Sequence, residues 1–340
     1  MSEGDNAVVD RKARHTSTVP PPKIDRSFTL NFKGDWGRAN LHRVLGWLGY
    51  ELVKLSGPYT SFAIWNGRSG LDNLQAVGRG QIDVSLVVPV SFVRMAVEGK
   101  GRFAGEQFPH VRALGYVPQN DRMVMAVRSD LGIRSFADIR AKKPKLRIAA
   151  GLDDGVSFMG LAAQMLMEEN GIPRAELESW GGIYLEYEEP RNCTAAVLNG
   201  GADAVIQEAV MNSYWTELAD KVDLTFLPVE PDVRDAFARN YGVPTATLPK
   251  NYLRGIDREM EFLDFSHFLL VTTTDLPDDI AYAMSWSLIE RFGTLQAMYS
   301  HNPPERSAIT YPIKPKEACR TLIPLHPGSE RYFRDAGHLT

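Results

Sequence analysis

Residues 149–160 read AAGLDDGVSFMG, and the reading of this stretch decides the fold. The preceding KLRIA is an apolar run of strand length, and the following SFMGLAAQMLMEENG carries apolar residues at helical spacing and stops at Gly171. The join is therefore a glycine-flanked strand-to-helix turn. Such a turn aims backbone N–H groups and the positive end of a helix dipole at whatever sits above it, which favours an anion. Here it carries two carboxylates, Asp153 and Asp154.

Working outward, the same unit recurs. SFTLNF leads to the helix of LHRVLGWLGYELVKLSG, SFAIW to SGLDNLQAVGRG, and IDVSLVV to PVSFVRMAVEG. Repeated strand–helix units of this length predict an α/β class with largely parallel sheet. VRALGYV and RMVMAVR follow each other closely, as if crossing from one lobe to the next; KLRIAA, ADAVIQE and VDLTFLPV then build a second lobe. EFLDFSHFLLVTT, read as one long strand, and the helix PDDIAYAMSWSLIERFG return the chain to the first. The predicted division is a flexible arm at 1–26, a first lobe from 27–120 and 250–340, and a second lobe at 121–249. A cleft between them falls at the strand C-termini, where open α/β sheets hold ligands.

At 340 residues the chain is long enough for two cores. Its 44% apolar and 24% charged residues are ordinary for a globular protein, and a net charge of −4 gives no reason to expect nucleic acid. No window approaches about 18 uninterrupted apolar residues, so no spanning helix is expected. The first 26 residues hold no apolar core for an export signal, which places the expected protein in the cytoplasm, or in the periplasm if the true start lies upstream. Cys193 and Cys319 read as small buried side chains, and the seven histidines lack ligand spacing, so neither metal nor cofactor is expected.

At these turns the sequence resembles a known family. NGRSGLDNLQAVGRGQIDVSLV, GIRSFADIRAKKPKLRIAAG, CTAAVLNGGADAVI, LPDDIAYAMSWSLIE and IPLHPGSERYFRDAG are similar, in order and spacing, to segments of the TAXI family of solute receptors for TRAP transporters. The resemblance runs from about Phe28 to the C-terminus. It implies a type II periplasmic-binding fold, a two-lobe clamshell closing on a small organic acid. Two turns depart from the family pattern: GDWGRANLHR replaces a small neutral turn, and GLDDGVS carries an acid pair where Gly and Ser are usual.

The candidate residues follow from those turns. Arg38 and His42 lie four apart at a helix start and would share a face, able to grip a carboxylate or relay a proton; Asp35 beside them is a turn or capping acid or a catalytic one. Arg68 is a ligand candidate, while Ser69 with Asp72 forms a capping box, and Asn73 shares that turn. One of Asp153 and Asp154 caps the helix, leaving the other as a general acid if aromatics wall it off. Trp36, Trp65, Phe92, Phe158, Tyr214 and Trp215 sit at strand ends as core or as a stack around a flat ligand, Ser157 lies among them, and Glu208 ends the strand DAVIQ.

Two functions are open on these residues. The first is a cytoplasmic, cofactor-independent lyase of decarboxylase type, acting on a small aromatic carboxylate, with Asp153, Asp154, Asp35, His42 or Glu208 supplying the proton. The alternative is a TAXI-type receptor that binds such a carboxylate without catalysis and hands it to TRAP membrane subunits. Neither reading involves nucleic acid or membrane insertion, and both leave self-association open.

Overall fold

The structure, a computed structural model, describes residues 19–340 apart from Arg38 and Ser69. Strands β1 (Thr29–Lys33), β2 (Ser61–Trp65), β3 (Val84–Val87) and β4 (Val111–Val117) begin the first lobe. β5 (Arg122–Arg128), β6 (Arg147–Gly151), β7 (Ile183–Tyr187), β8 (Ala204–Gln207), β9 (Leu224–Leu227), β10 (Thr245–Leu248) and β11 (Met260–Asp264) form the second, and β12 (Phe268–Thr273) returns to the first. The helices that position the site are α1 (Asn40–Lys54), α2 (Leu71–Gly78), α3 (Val90–Glu98), α4 (Phe136–Lys142), α5 (Phe158–Glu169), α6 (Arg174–Ser179), α7 (Pro190–Leu198) and α8 (Ser213–Lys221).

The first sheet has five strands in the order β2-β1-β3-β12-β4, and the second has seven in the order β10-β11-β5-β8-β6-β7 with β9 paired to β5. Both are mixed. The strand–helix units run parallel (β1 with β2 and β3, β6 with β7 and β8), whereas the crossing strands β5 and β12 run antiparallel to their neighbours. This is the two-lobe α/β clamshell. β10 and β11 pair within the second sheet, so its strands extend to Asp264.

Helix α1 shows how pattern becomes packing. Leu41, Val44, Leu45, Leu48 and Leu52 recur at helical spacing and are all buried, each worth roughly 1.5–3 kcal/mol over exposure. They meet β1 and the helix Asp278–Glu290 in a first-lobe core. A second core belongs to the other lobe, around Trp215, Phe226 and Phe262. A third runs through the junction of the lobes: the rings of Phe92 on α3 and Phe158 on α5 lie 5.7 Å apart, edge to face.

Two chain crossings make the hinge, and they are tied together. Phe265 N–H donates to the Asp121 carbonyl at 3.1 Å and His267 N–H to the Gln119 carbonyl at 3.1 Å. The buried Arg122 guanidinium spans both crossings, donating to Asp264 at 3.1 Å and Ser266 at 2.8 Å. The second crossing breaks the stretch expected as one strand over 261–273. His267 adopts φ +70°, a left-handed conformation that ends β-pairing, so β11 and β12 serve different sheets.

Part of the expected arm belongs to the body. Val19 and Ile24 are buried, Trp286 Nε1 donates to the Val19 carbonyl at 3.1 Å, and Ile24 N–H donates to Leu55 at 2.8 Å. Residues 1–18 lie outside the described residues. Cys193 and Cys319 are buried free thiols. Among the described residues no helix is long and apolar enough to cross a membrane, and no cluster of His, Cys, Asp and Glu is built to hold a metal.

Candidate functional site

A cavity of ≈ 400 Å³ lies between the lobes, over the hinge. The first lobe contributes Trp36, Asn40 and Arg43 at the start of α1, with Val88 and Phe268 as apolar wall; the second contributes Arg191 at the start of α7, Asn212 and Tyr214 at the start of α8, and Glu208 after β8. The first turns of three helices, α1, α7 and α8, thus line one space. Two arginines stand on opposite lobes, and Arg43 also stacks over the Tyr299 ring at 5.4 Å. The buried Trp36 Nε1 and Gln119 Oε1 have no hydrogen-bond partner among the described residues.

The floor holds an acid pair. Asp121, fully buried at the head of β5, accepts backbone N–H bonds from Arg122 at 2.7 Å, Ala209 at 2.9 Å and Val210 at 3.2 Å. Ala209 adopts φ +62°, the left-handed turn that swings these two N–H groups onto Asp121. Desolvation raises Asp121 to about 6 against the pull of its three N–H donors, and it pushes Glu208 well above the usual carboxylate range, with the Asp121 charge adding to the rise. Glu208 is deep in the protein, yet part of its side chain opens to the cavity. Burial likewise pushes the Tyr214 phenol well up, helped by the two acids.

The expected site residues divide into three groups. Trp36, Glu208 and Tyr214 come together in the cavity, as does Asp35, although its oxygens are already engaged. Asp35 accepts from Leu41 N–H at 2.8 Å and Ala39 N–H at 3.3 Å and sits 2.9 Å from His42 Nδ1, so it caps α1 and orients the ring. That is the structural reading of both residues. Arg38 and Ser69 lie outside the described residues.

A second group closes the lobes on each other. Arg68 pairs with Asp154 and lies 2.6 Å from Glu188, both carboxylates belonging to the second lobe. Asp154 Oδ1 also accepts Val156 and Ser157 N–H at 3.1 Å each, while Ser157 caps α5 by accepting Gly160 N–H at 3.4 Å. The acid pair of the opening turn is thus explained on one side: Asp154 shapes the turn and holds Arg68. Asp153 lines a separate cavity of ≈ 400 Å³ with Phe103, Phe108 and Phe158.

The third group is packing. Phe92, Phe158 and Trp215 are core, the last donating Nε1 to the Glu208 carbonyl at 2.8 Å. Asn73 is fully buried and ties β1 to β3 through Gly34 O at 2.8 Å and Ser85 Oγ at 3.0 Å. Trp65 is 56% exposed and donates to Asn31 Oδ1 at 3.1 Å, outside the cavity. Sequence reasoning missed Arg43, Asp121, Arg191 and Asn212. The alternation in IYLEY marks β7, and the Pro190 that follows opens α7, a signal that would have found Arg191.

Two lobes hinged by paired crossing strands, with a cavity between facing strand ends, make this a protein of the periplasmic-binding type. The chain belongs to the NMT1-like family, whose model matches residues 61–337, and whose members are periplasmic solute-binding proteins. No curated protein matches the sequence. Among solved structures, a TctC solute-binding protein from Polaromonas is similar at 14% identity and TM-score 0.48, covering 91% of this chain and 95% of that one. The periplasmic binding protein BugD is similar at 12% identity and TM-score 0.48, covering 83% and 88%.

Family membership corrects the lyase reading: it supports the alternative, a solute-binding receptor, over a decarboxylase. The geometry gives the physical reason for two of the five proposed acids. Asp35 is consumed by capping and by His42, and Asp154 by Arg68 and its own turn. The cytoplasmic placement expected from the N-terminal sequence gains no support from a periplasmic family.

Proposed function

We propose that the protein is a solute receptor that closes its lobes over a small organic carboxylate with a flat apolar body. The observation that carries this is the cavity wall. Arg43 and Arg191 approach from opposite lobes beside three helix N-termini, while Trp36, Tyr214, Val88 and Phe268 supply apolar surface. An anion bridging both arginines gains from each only when the lobes are together, so binding and closure are one event. The apolar walls favour an aromatic acid over an aliphatic amino acid. The motifs shared with the TAXI family support placement in that branch, with TRAP membrane subunits as the partner and the periplasm, rather than the cytoplasm, as the place of work.

Tryptophan fluorescence tests the ligand class. Hydroxybenzoate or cinnamate is expected to change the emission, leucine is not, and Trp36→Phe is expected to remove the change while Trp65→Phe preserves it. A response that survives Trp36→Phe, or one given by leucine alone, overturns the assignment.

A further inference from the structure

We infer that a cavity at the hinge is a second binding site, which takes a small primary amine in its ammonium form and is filled independently of the cleft. The site goes beyond the receptor reading and does not rest on it. The cavity, of ≈ 340 Å³, lies where three chain segments meet: Tyr116, Gln119 and Asn120 at the first crossing, Ser266 and His267 at the second, and the C-terminal stretch 304–318. Backbone bonds hold these segments together, His267 N–H donating to the Gln119 carbonyl at 3.1 Å and Thr310 N–H to the Pro118 carbonyl at 2.9 Å. Gln119 lines both this cavity and the cleft, whereas His267 and Thr310 line this cavity and not the cleft.

Three buried atoms of this wall have no hydrogen-bond partner among the described residues: Gln119 Oε1, His267 Nδ1 and Thr310 Oγ1. Gln119 is 5% exposed, and its Nε2 donates to Asp121 Oδ2 at 3.4 Å, which leaves Oε1 to accept from an occupant. Burial lowers the His267 pKa, so the ring is neutral at pH 7 and keeps one nitrogen that accepts. A buried acceptor left unpaired costs about 1–3 kcal/mol, so each of these atoms gains by meeting a donor. A single water could pair with one of them but fills only about 30 Å³, roughly a tenth of the space. The charged side chains lining the cavity are Glu305, Glu317 and Lys314, with Lys314 paired to Glu317 at 3.1 Å. Next to them Arg122 and Arg306 stand against Asp121 and Asp264, so the sum stays negative. Acceptors in a negative wall oppose a carboxylate and suit an ammonium group, which has three donors and no acceptor. Tyr116, Pro312 and Ile313 supply surface for its apolar body, the Tyr116 ring being stacked on His267 at 5.2 Å.

Titration calorimetry with benzylamine, an ammonium ion at pH 7, tests the site. One molecule per chain is expected to bind, about tenfold more tightly than benzyl alcohol, which has the same body, one donor and no charge. Thr310→Val is expected to weaken binding about tenfold, and Ile313→Trp, which fills the cavity, to abolish it. Trp36→Phe in the cleft is expected to leave the affinity unchanged, and so is saturation with cinnamate. Absence of binding to the wild type overturns the site, as does an affinity that neither Thr310→Val nor Ile313→Trp alters. Displacement of benzylamine by cinnamate puts the amine in the cleft and overturns the site as well. Equal binding of benzyl alcohol overturns the ammonium class. Cinnamate that fails to bind bears on the receptor reading alone, and the two hinge variants still decide the site.

Discussion

Leu71 on the first lobe donates its N–H to the carbonyl of Val156 on the second at 2.9 Å, directly beside the pairing of Arg68 with Asp154. The structure is thus a closed clamshell whose two turns touch backbone to backbone. Gly70 is what allows it: a Cβ there would stand 2.9 Å from Val156 O and 3.0 Å from Phe158 N, both backbone atoms. A side chain there would have to displace backbone of the facing lobe, so the glycine supplies the space that the approach needs.

Gly70→Ala is therefore expected to hold the lobes apart without unfolding either. Small-angle scattering should show a larger radius of gyration than the wild type in the presence of ligand, with affinity reduced at least tenfold. An unchanged radius and affinity would contradict a tight lobe-to-lobe approach at Gly70.

The ionic latch is expected to be weaker than its two partners suggest. Arg68 is about a third exposed, so each pair contributes about 0–1 kcal/mol and is screened by salt. A double-mutant cycle of Arg68→Ala and Asp154→Ala, read in ligand affinity at low and high salt, should give a small coupling that fades with salt. Coupling above about 2 kcal/mol at high salt would point to a buried pair instead.

Phe92 and Phe158 read from the sequence as core or as ligand stacking, and both are buried, with their rings 5.7 Å apart. Phe92→Ala or Phe158→Ala should cost about 3–5 kcal/mol in urea unfolding. Loss of ligand affinity with stability intact would return these rings to the ligand.

Much of the fold was legible because its signals are local. β4 and β5 coincide with VRALGYV and RMVMAVR, and the apolar stripe of α1 announced itself by spacing. The break at His267 was not legible, because an apolar run reads the same whether one strand or two carry it, and the left-handed turn that divides it is imposed by the hinge. The site was harder. Trp36 and Glu208 were found from strand ends, but Arg191 depended on a strand that was not recognised, and Asp121 became a floor residue only when Ala209 and Val210 arrived from 88 and 89 positions on. Arm residues 19–26 looked disordered by composition, although two apolar side chains suffice to dock them.

Deleting 19–26 together with what precedes it should accordingly lower Tm by about 5 °C or more, since Val19 and Ile24 each bury surface worth roughly 1.5–3 kcal/mol. An unchanged Tm would contradict docking of this segment.

Stability should also depend on pH through the floor. Both acids are raised above their unfolded values of about 4, so the folded state binds a proton that the unfolded state has lost. That contribution is full below about pH 4 and is lost as pH rises through the folded values, about 6 for Asp121 and well above the usual carboxylate range for Glu208. Urea midpoints should fall between pH 5 and pH 8 in the wild type and fall less in Glu208→Gln. Equal slopes would contradict a buried proton.

The receptor reading stands or falls on whether the two arginines grip the ligand from opposite lobes. The direct measurement is titration calorimetry of cinnamate or hydroxybenzoate against the wild type, Arg43→Ala, Arg191→Ala and the double variant, with the recovered ligand analysed for chemical change. One ligand per chain, at least tenfold weaker binding in each single variant, and ligand recovered intact is the expected result. Binding undiminished in the double variant would contradict it.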